Sequence, residues 1–402
     1  MSEQTSMTSM TSMTSMTSMT SRTGTGKLSD LASSSGDPYV AEGVVSATAR
    51  NAWAAGLIDR DQNIVEEPWK TSPEVPARYM TRWAPEVRSH ICQWLLHEGL
   101  RLEVSSGTVS LKHRTIEGIP ISAEGKQKID VNTRSIATII RPEYDVFSGQ
   151  TKKVVAYSRA DLRRSRTPEI LTQVLPQVPY WGTLVPLSPW RTPWTWELIS
   201  ISLIFTMQIV HQFKHALSVP RPNELEPQVQ PMLLVPGWSA FPSGHATESF
   251  VFARLMRTLL GQTMGNPLDH ALQRQAYDIT ENRIFAGLHY PIDGVAGRVL
   301  AISLAEYIVS RFVGGNKVGS SQTIPPIHGN WYHRTFDGDK AYSSQLENCN
   351  LNLSEPVEGN IAGCPPYFKV DLASNWLPKN EILNVIWDKA RGELRDLGYP
   401  AP

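Results

Sequence analysis

Cysteine is scarce in this sequence of 402 residues, where only Cys92, Cys349 and Cys364 occur. Three scattered thiols are too few for a disulfide framework or for a cysteine-based metal site. A reducing compartment favours three free thiols. A bridge between Cys349 and Cys364 is the alternative that the sequence leaves open.

Long apolar runs and net charge are also missing. A membrane-spanning helix needs about 20 apolar residues, and the nearest stretch, 194–213, contains Glu197 and His211. We interpret that stretch as a buried core helix. Basic and acidic residues balance at 38 each, so no global field points to nucleic acid or to an anionic membrane. We expect a soluble, cytoplasmic protein without nucleic-acid partners, and leave a homo-oligomer open.

The N-terminal segment lacks the basic residues and continuous apolar core of a secretory signal. Residues 5–19 are instead five tandem Thr-Ser-Met triplets. A Ser/Thr-rich repeat buries too little surface to fold, so we predict disorder over 1–37. An organellar transit sequence is the weaker alternative, because arginines are few.

Helical periodicity dominates the rest of the chain, and the predicted fold is mainly α, a helical bundle with a small irregular or β-containing insertion. Helices are predicted over 39–58, 85–98, 196–216, 245–260, 267–285, 291–312 and 380–397. Val, Ile and Thr predict short strands between 103 and 157, as in Thr108–Leu111 and Val154–Tyr157. We divide the chain into the repeat (1–37), an N-terminal helical region with the β excursion (38–180), a helical core (181–315) and a loop-rich extension with a final helix (316–402).

A cluster suited to anions, Pro242-Ser243-Gly244-His245, precedes one predicted helix. A helix N-terminus presents unpaired N–H groups and a partial positive charge. Ser243 is placed as the N-cap, Gly244 lets an oxyanion approach the backbone, and His245 is placed to exchange protons with it. The alternative is an ordinary serine cap beside a solvated histidine.

Two cations precede this cluster. Lys214 ends the buried helix, and Arg221 follows the break at Pro220. The apolar stem of a lysine can lie along a core while its ammonium reaches a cavity, and an arginine fork can clamp two oxygens of a tetrahedral anion. Taken alone, the two cations are more simply interpreted as groups that satisfy a helix C-terminus.

A third cluster contains Arg283, His289 and Asp293. The last two fall one helical turn apart, so the carboxylate can hold the imidazole N–H. That bond fixes the tautomer and raises the basicity of the other nitrogen, as a nucleophile or a metal ligand requires. A packed histidine with a capping aspartate is the alternative.

Together the clusters provide three strong cations that could neutralise a trianionic centre shielded from water. The order Lys-x6-Arg-Pro, Pro-Ser-Gly-His and Arg-x5-His-x3-Asp resembles the type-2 phosphatidic acid phosphatases and the vanadium-dependent haloperoxidases. The resemblance covers roughly residues 196–312. It implies one shared helical fold with one pocket for phosphate or vanadate.

The resemblance also implies roles for these residues. His245 would be the acid–base residue, and His289, supported by Asp293, would be the axial group. In a phosphatase His289 would attack phosphorus and form a phosphohistidine without a cofactor. In a haloperoxidase it would ligate the vanadium of a vanadate cofactor. Oxygens of the phosphate or vanadate would be bound by Lys214, Arg221, Ser243, Gly244 and Arg283.

Two features favour the haloperoxidase. Membrane and secreted phosphatases of the superfamily carry spans or signals that this sequence does not show. Trp238 stands just before the second cluster, where haloperoxidases often place an aromatic residue or histidine beside the halide, and His211 would add a second pocket side chain. Plain packing of Trp238 is the alternative.

The run from His289 to Asp293 instead resembles the phosphatase version of the third motif. On the strength of the two features above, we nevertheless expect a haloperoxidase-like enzyme that oxidises halide with hydrogen peroxide. A soluble phosphatase acting on a phosphoester is the alternative, and a non-catalytic anion-binding protein is a third hypothesis.

Overall fold

The computed structural model describes residues 77, 79–118, 129–174, 177–262, 266–315, 329–339 and 368–399. Three predictions lie outside these residues: the disorder over 1–37, the helix over 39–58 and the pairing of Cys349 with Cys364. Cys92 lies inside them, buried and with a free thiol.

Helices account for most of the described chain, which confirms the mainly α fold. Three of the central ones begin at Pro193, Pro267 and Pro291, because proline has the right φ for a first turn and lacks only an N–H that would be unpaired there. In chain order the helices are α1 (Pro85–His97), α2 (Tyr144–Arg159), α3 (Asp161–Thr172), α4 (Val178–Gly182), α5 (Pro193–Leu217), α6 (Pro222–Leu225), α7 (Gly244–Leu259), α8 (Pro267–Phe285), α9 (Pro291–Val313) and α10 (Glu381–Asp396).

One five-stranded sheet packs against α9. Its strands lie in sequence order, β1 (Leu100–Ser105), β2 (Thr108–Gly118), β3 (Ile129–Ile140), β4 (Asn330–Asp337) and β5 (Phe368–Trp376). All neighbours are antiparallel except β3 and β4, which run parallel with Ala137 opposite Arg334. Parallel neighbours need a crossover connection, and here that connection contains α2 to α9. The sheet therefore joins the two ends of the described chain.

One expectation about a strand was wrong, and two strands were not predicted. Val154–Tyr157 is not a strand but part of α2, where Val154 is fully buried. Strand propensity is weak compared with packing, and here packing decides. The region after residue 315, predicted to be loop-rich with one helix, also contributes β4 and β5. The fully buried Trp331 and Phe336 anchor β4 in the core.

The main apolar core extends through the N-terminal, central and C-terminal parts of the described chain. It includes Leu96 of α1, Phe205 of α5, Phe336 of β4 and Trp387 of α10. Helix α10 packs against both α5 and α9. The flanking segments thus share the core of the central helices, and the division into four parts stays a prediction.

Helix α5 is the buried helix that the sequence predicted. Its one acidic residue, Glu197, is buried and accepts two hydrogen bonds from the buried guanidinium of Arg88, at 2.7 and 2.5 Å. A paired charge of this kind is tolerated inside a protein, whereas an unpaired one is not. Neither α5 nor any other helix in the described ranges has the length and apolar composition needed to cross a bilayer.

Candidate functional site

The start of α7 lies directly against the start of α9. Ser243 is the N-cap of α7 and accepts a hydrogen bond from the Ala246 N–H at 3.4 Å. The Ser243 N–H donates to the Asp293 carbonyl oxygen at 3.0 Å. This approach requires Gly297, because a Cβ there would lie 2.7 Å from the Ser243 carbonyl oxygen. The two helix starts that carry the second and third motifs are therefore held together.

Gly244, the first residue of α7, leaves a gap over the first turn. A Cβ built on it would lie 3.9 Å from Lys214 Cε and 4.0 Å from Glu248 Oε1. These are ordinary contact distances, so a side chain here would fill the gap rather than clash. Without one, an oxyanion has room to reach the free N–H groups of the helix start.

Lys214 is buried in the last turn of α5. Its Nζ donates to the carbonyl oxygens of Ser239 and Ala240, both at 2.8 Å. Burial, followed by the charge of Arg221, lowers its pKa well below the ordinary value. The simple interpretation as a cation that caps α5 does not describe this contact set, because the ammonium binds the segment before α7. An anion beside it would restore the charged form.

Arg221 is buried and reaches the third motif. Its Nε donates to the Trp238 carbonyl oxygen at 3.0 Å, and one terminal nitrogen donates to the Leu288 carbonyl oxygen at 2.9 Å. The same terminal nitrogen lies 3.1 Å from His289 Nε2. A guanidinium can only donate, so His289 Nε2 is the acceptor and its proton lies on Nδ1.

The other side of His289 contacts Asp293. Its Nδ1 donates to Asp293 Oδ2 at 2.8 Å, the bond that the one-turn spacing predicts, and the same oxygen accepts the Tyr290 N–H at 3.0 Å. Burial and then Arg221 lower the pKa of His289, while burial raises that of Asp293. His289 is thus a neutral imidazole whose Nε2 lone pair points toward a cation.

Gln173, which the motifs did not indicate, connects His245 with Arg283. Its carbonyl oxygen lies 3.2 Å from His245 Nε2, and its Oε1 accepts from Arg283 at 3.0 Å and from Asn282 at 3.0 Å. Burial, followed by Arg283, lowers the pKa of His245 to about 3. Within the described residues, Arg283 Nε and Gln173 Nε2 are buried donors without an acceptor.

Trp238 and His211 lie together at the edge of this cluster. Their rings meet edge to face with centroids 5.3 Å apart, and Trp238 also receives the Arg221 hydrogen bond on its carbonyl. Burial and then Lys214 lower the pKa of His211. The predicted halide-side pair is therefore adjacent to two of the site's cations.

Contacts connect all the predicted site residues into one cluster at the starts of α7 and α9. The protein is thus a mainly α-helical protein, and the buried cations, imidazoles and unpartnered donors of this cluster are groups of the kinds that can bind a compact oxyanion. Their individual roles stay predictions.

Comparison with protein families identifies the segment more closely. Residues 196–315 match the family model described as the PAP2 superfamily, which confirms the resemblance over this segment. Members of that superfamily are generally enzymes, either phosphatases or haloperoxidases. No curated protein matches the chain.

Proposed function

We propose that this protein is a vanadium-dependent haloperoxidase-like enzyme that oxidises halide with hydrogen peroxide. The first observation in support of the proposal concerns His289. The Nδ1–H of His289 is bound to Asp293, so its Nε2 lone pair faces the Arg221 guanidinium at 3.1 Å. An anion that draws Arg221 toward itself would take the position facing this nitrogen.

The residues present fit vanadate. The unpartnered Arg283 Nε and the gap at Gly244 offer donors and space, and vanadate would be held by Lys214, Arg221, Arg283 and the first turn of α7, with His289 Nε2 as its protein ligand. Vanadate supplies, when bound, a Lewis-acid centre that activates hydrogen peroxide toward attack by halide.

The protein's own groups perform three tasks. Asp293 orients His289 and keeps the proton on Nδ1. The three cations offset the charge of the anion in a place from which water is largely excluded. His245 holds or releases a proton at an anion oxygen. Its pKa is low beside Arg283, and a bound anion raises it by opposing that charge. Anion binding is therefore coupled to proton uptake by His245.

The contact of Trp238 with His211 supports the haloperoxidase over its alternative. The Trp238 ring packs against His211, and the Trp238 carbonyl oxygen accepts a hydrogen bond from Arg221, so a halide here would meet an apolar ring near a cation. We assign the halide to this edge of the site.

The second candidate is a phosphatase that hydrolyses phosphomonoesters, and the bond from His289 to Asp293 supports it equally well. In that reaction Nε2 attacks phosphorus and forms an N–P bond while the ester P–O bond breaks. His245 gives the leaving oxygen its proton, and water then cleaves the N–P bond. No cofactor is needed. A non-catalytic anion-binding protein would instead turn over neither substrate.

Two assays on one purified full-length preparation test the proposal. With vanadate, peroxide and bromide or iodide, we expect halogenation of a phenolic dye that depends on vanadate and is inhibited by phosphate. Efficient release of phosphate from p-nitrophenyl phosphate, without halogenation, would overturn the proposal in favour of the phosphatase.

His289→Ala tests the site itself. Because either reaction needs Nε2, this variant is expected to abolish turnover in both assays. His90→Ala, at an exposed position of α1, is the matched control and is expected to keep it. A His289→Ala variant with near-normal turnover would mean that the site is elsewhere.

A further inference from the structure

Glu248 lies one helical turn after Gly244 on the same face of α7. Side chains in a helix lean toward its N-terminus, so the carboxyl group reaches back over the first turn. Its Oε1 lies 4.0 Å from the position that a Gly244 Cβ would take. Neither the proposed halide chemistry nor the phosphatase alternative uses this acid.

Glu248 and Lys214 line the same gap, since Lys214 Cε lies 3.9 Å from the same position. In the described ranges the carboxylate accepts no hydrogen bond and forms no ion pair with Lys214, whose Nζ donates to two carbonyls instead. Burial raises the pKa of Glu248 to about 7, and the charge of Lys214 opposes this rise. The Glu248 carboxylate can therefore accept a hydrogen bond from an anion that binds beside Lys214 in this gap.

A carboxylate beside an oxyanion is repulsive unless a proton lies between the two oxygens. When the anion carries a hydroxyl group, the contact becomes a charge-assisted O–H···O⁻ hydrogen bond. Inorganic phosphate and vanadate retain such a hydroxyl near neutral pH. Sulfate has the same tetrahedral shape and carries no proton.

We propose that Glu248 is a specificity-determining residue that accepts a hydrogen bond from a hydroxyl of the bound oxyanion and so excludes oxyanions without a proton. The inference rests on the proposed function, because it requires an oxyanion at the start of α7. It names the ligand class as protonated tetrahedral oxyanions, which covers both phosphate and vanadate.

Calorimetric titration of the full chain with phosphate and with sulfate at about pH 8 tests the proposal, because both are then dianions that differ by one proton. We expect the wild type to prefer phosphate. Glu248→Gln replaces the acceptor on that side by an amide donor that suits sulfate. This variant is expected to lower the ratio of phosphate affinity to sulfate affinity by about 10- to 100-fold, mainly through tighter sulfate binding.

Two further variants complete the design. Glu248→Ala removes the acceptor without adding a donor and is expected to narrow the preference in the same direction, so the test survives if one variant folds poorly. Glu381→Gln on α10, where the side chain is 69% exposed, makes the same change in net charge and is expected to leave the preference intact.

An unchanged phosphate-to-sulfate ratio in both Glu248 variants would overturn the inference and leave the oxyanion site standing. So would an equal gain for both anions, since a residue that merely weakens the field of Lys214 would affect both dianions alike. A wild type that binds neither anion would overturn the proposed function together with the inference.

Discussion

Replacing Asp293 by alanine is expected to disable His289 while leaving the proposed cationic ligands of the oxyanion in place. Asp293 is fully buried, and one of its oxygens accepts both the His289 Nδ1–H and the Tyr290 N–H, at 2.8 and 3.0 Å. Alanine leaves both donors unpaired where water is scarce, and the imidazole is then free to move its proton to Nε2. That tautomer would point an N–H at Arg221, which can itself only donate.

The size of the effect follows from the two bonds. A hydrogen bond to a charged group contributes ~1.5–3 kcal/mol. Loss of the hydrogen bond from His289 should lower turnover by about 10- to 150-fold. Loss of the hydrogen bond from Tyr290 should lower the free energy of unfolding. Asparagine can place its oxygen at the same position. It keeps both bonds at about half strength, so its turnover should fall by only about 3- to 12-fold.

Three measurements check this prediction: turnover in whichever assay the wild type supports, urea denaturation, and ¹⁵N NMR of histidine-labelled protein to read the His289 tautomer. An alanine variant that keeps the Nδ1–H tautomer and turnover within about twofold of wild type would refute the reasoning. So would an asparagine variant as impaired as the alanine one, because the retained oxygen should preserve both bonds.

Two other variants test groups that lie outside the contact between His289 and Asp293. Gln173→Ala is expected to weaken phosphate binding about fivefold in calorimetry, because Arg283 loses an acceptor that holds its guanidinium; an unchanged affinity contradicts this. Burial, and then Arg311, lowers the pKa of His113 to about 4, whereas the unfolded imidazole titrates near 6.5. The unfolded chain therefore takes up the proton first, and His113 makes the free energy of unfolding fall as the pH drops from about 6.5 to about 4, by up to ~3 kcal/mol. Urea denaturation across this range should show a shallower fall for His113→Gln, and identical slopes would contradict the assignment.

The core helices were predictable because prolines and glycines mark their ends and apolar residues recur at helical spacing between them. Helix α8 has the predicted bounds, Pro267–Phe285, and α9 extends one residue beyond the predicted end. The strands were harder. Val154 looked like a strand residue but packs into the core from α2. Strand β4 exists because β3 offers a parallel partner from far earlier in the chain, which no local pattern reveals.

Some residues of the candidate site were likewise predictable from the sequence, and others were not. Short motifs contain the cations and histidines, so their identities were readable, and the bond of His289 to Asp293 followed from spacing alone. Gln173 was not readable, because it belongs to no motif and meets Arg283 only where α3 packs against α8. Glu248 could have been found from the sequence, because it follows Gly244 by four residues and so lies on the same face of the predicted helix. The carbonyl partners of Lys214 and Arg221 depend on the path of an irregular segment, which sequence patterns do not specify.

The parallel pairing of β3 with β4 has a consequence for how much of the chain supports the central helices. Helix α9, which begins two residues after His289, packs against β4 and α10. Near its other end Glu306 receives both terminal nitrogens of the buried Arg334, at 2.7 and 2.9 Å. A fragment cut to residues 196–315 would keep every motif residue and lose Trp331, Phe336 and Trp387 from the core that holds α9 in place. The segment that matches the family model therefore shares its core with helices and strands on both sides of it, so we expect residues 196–315 alone to be less stable than the longer chain.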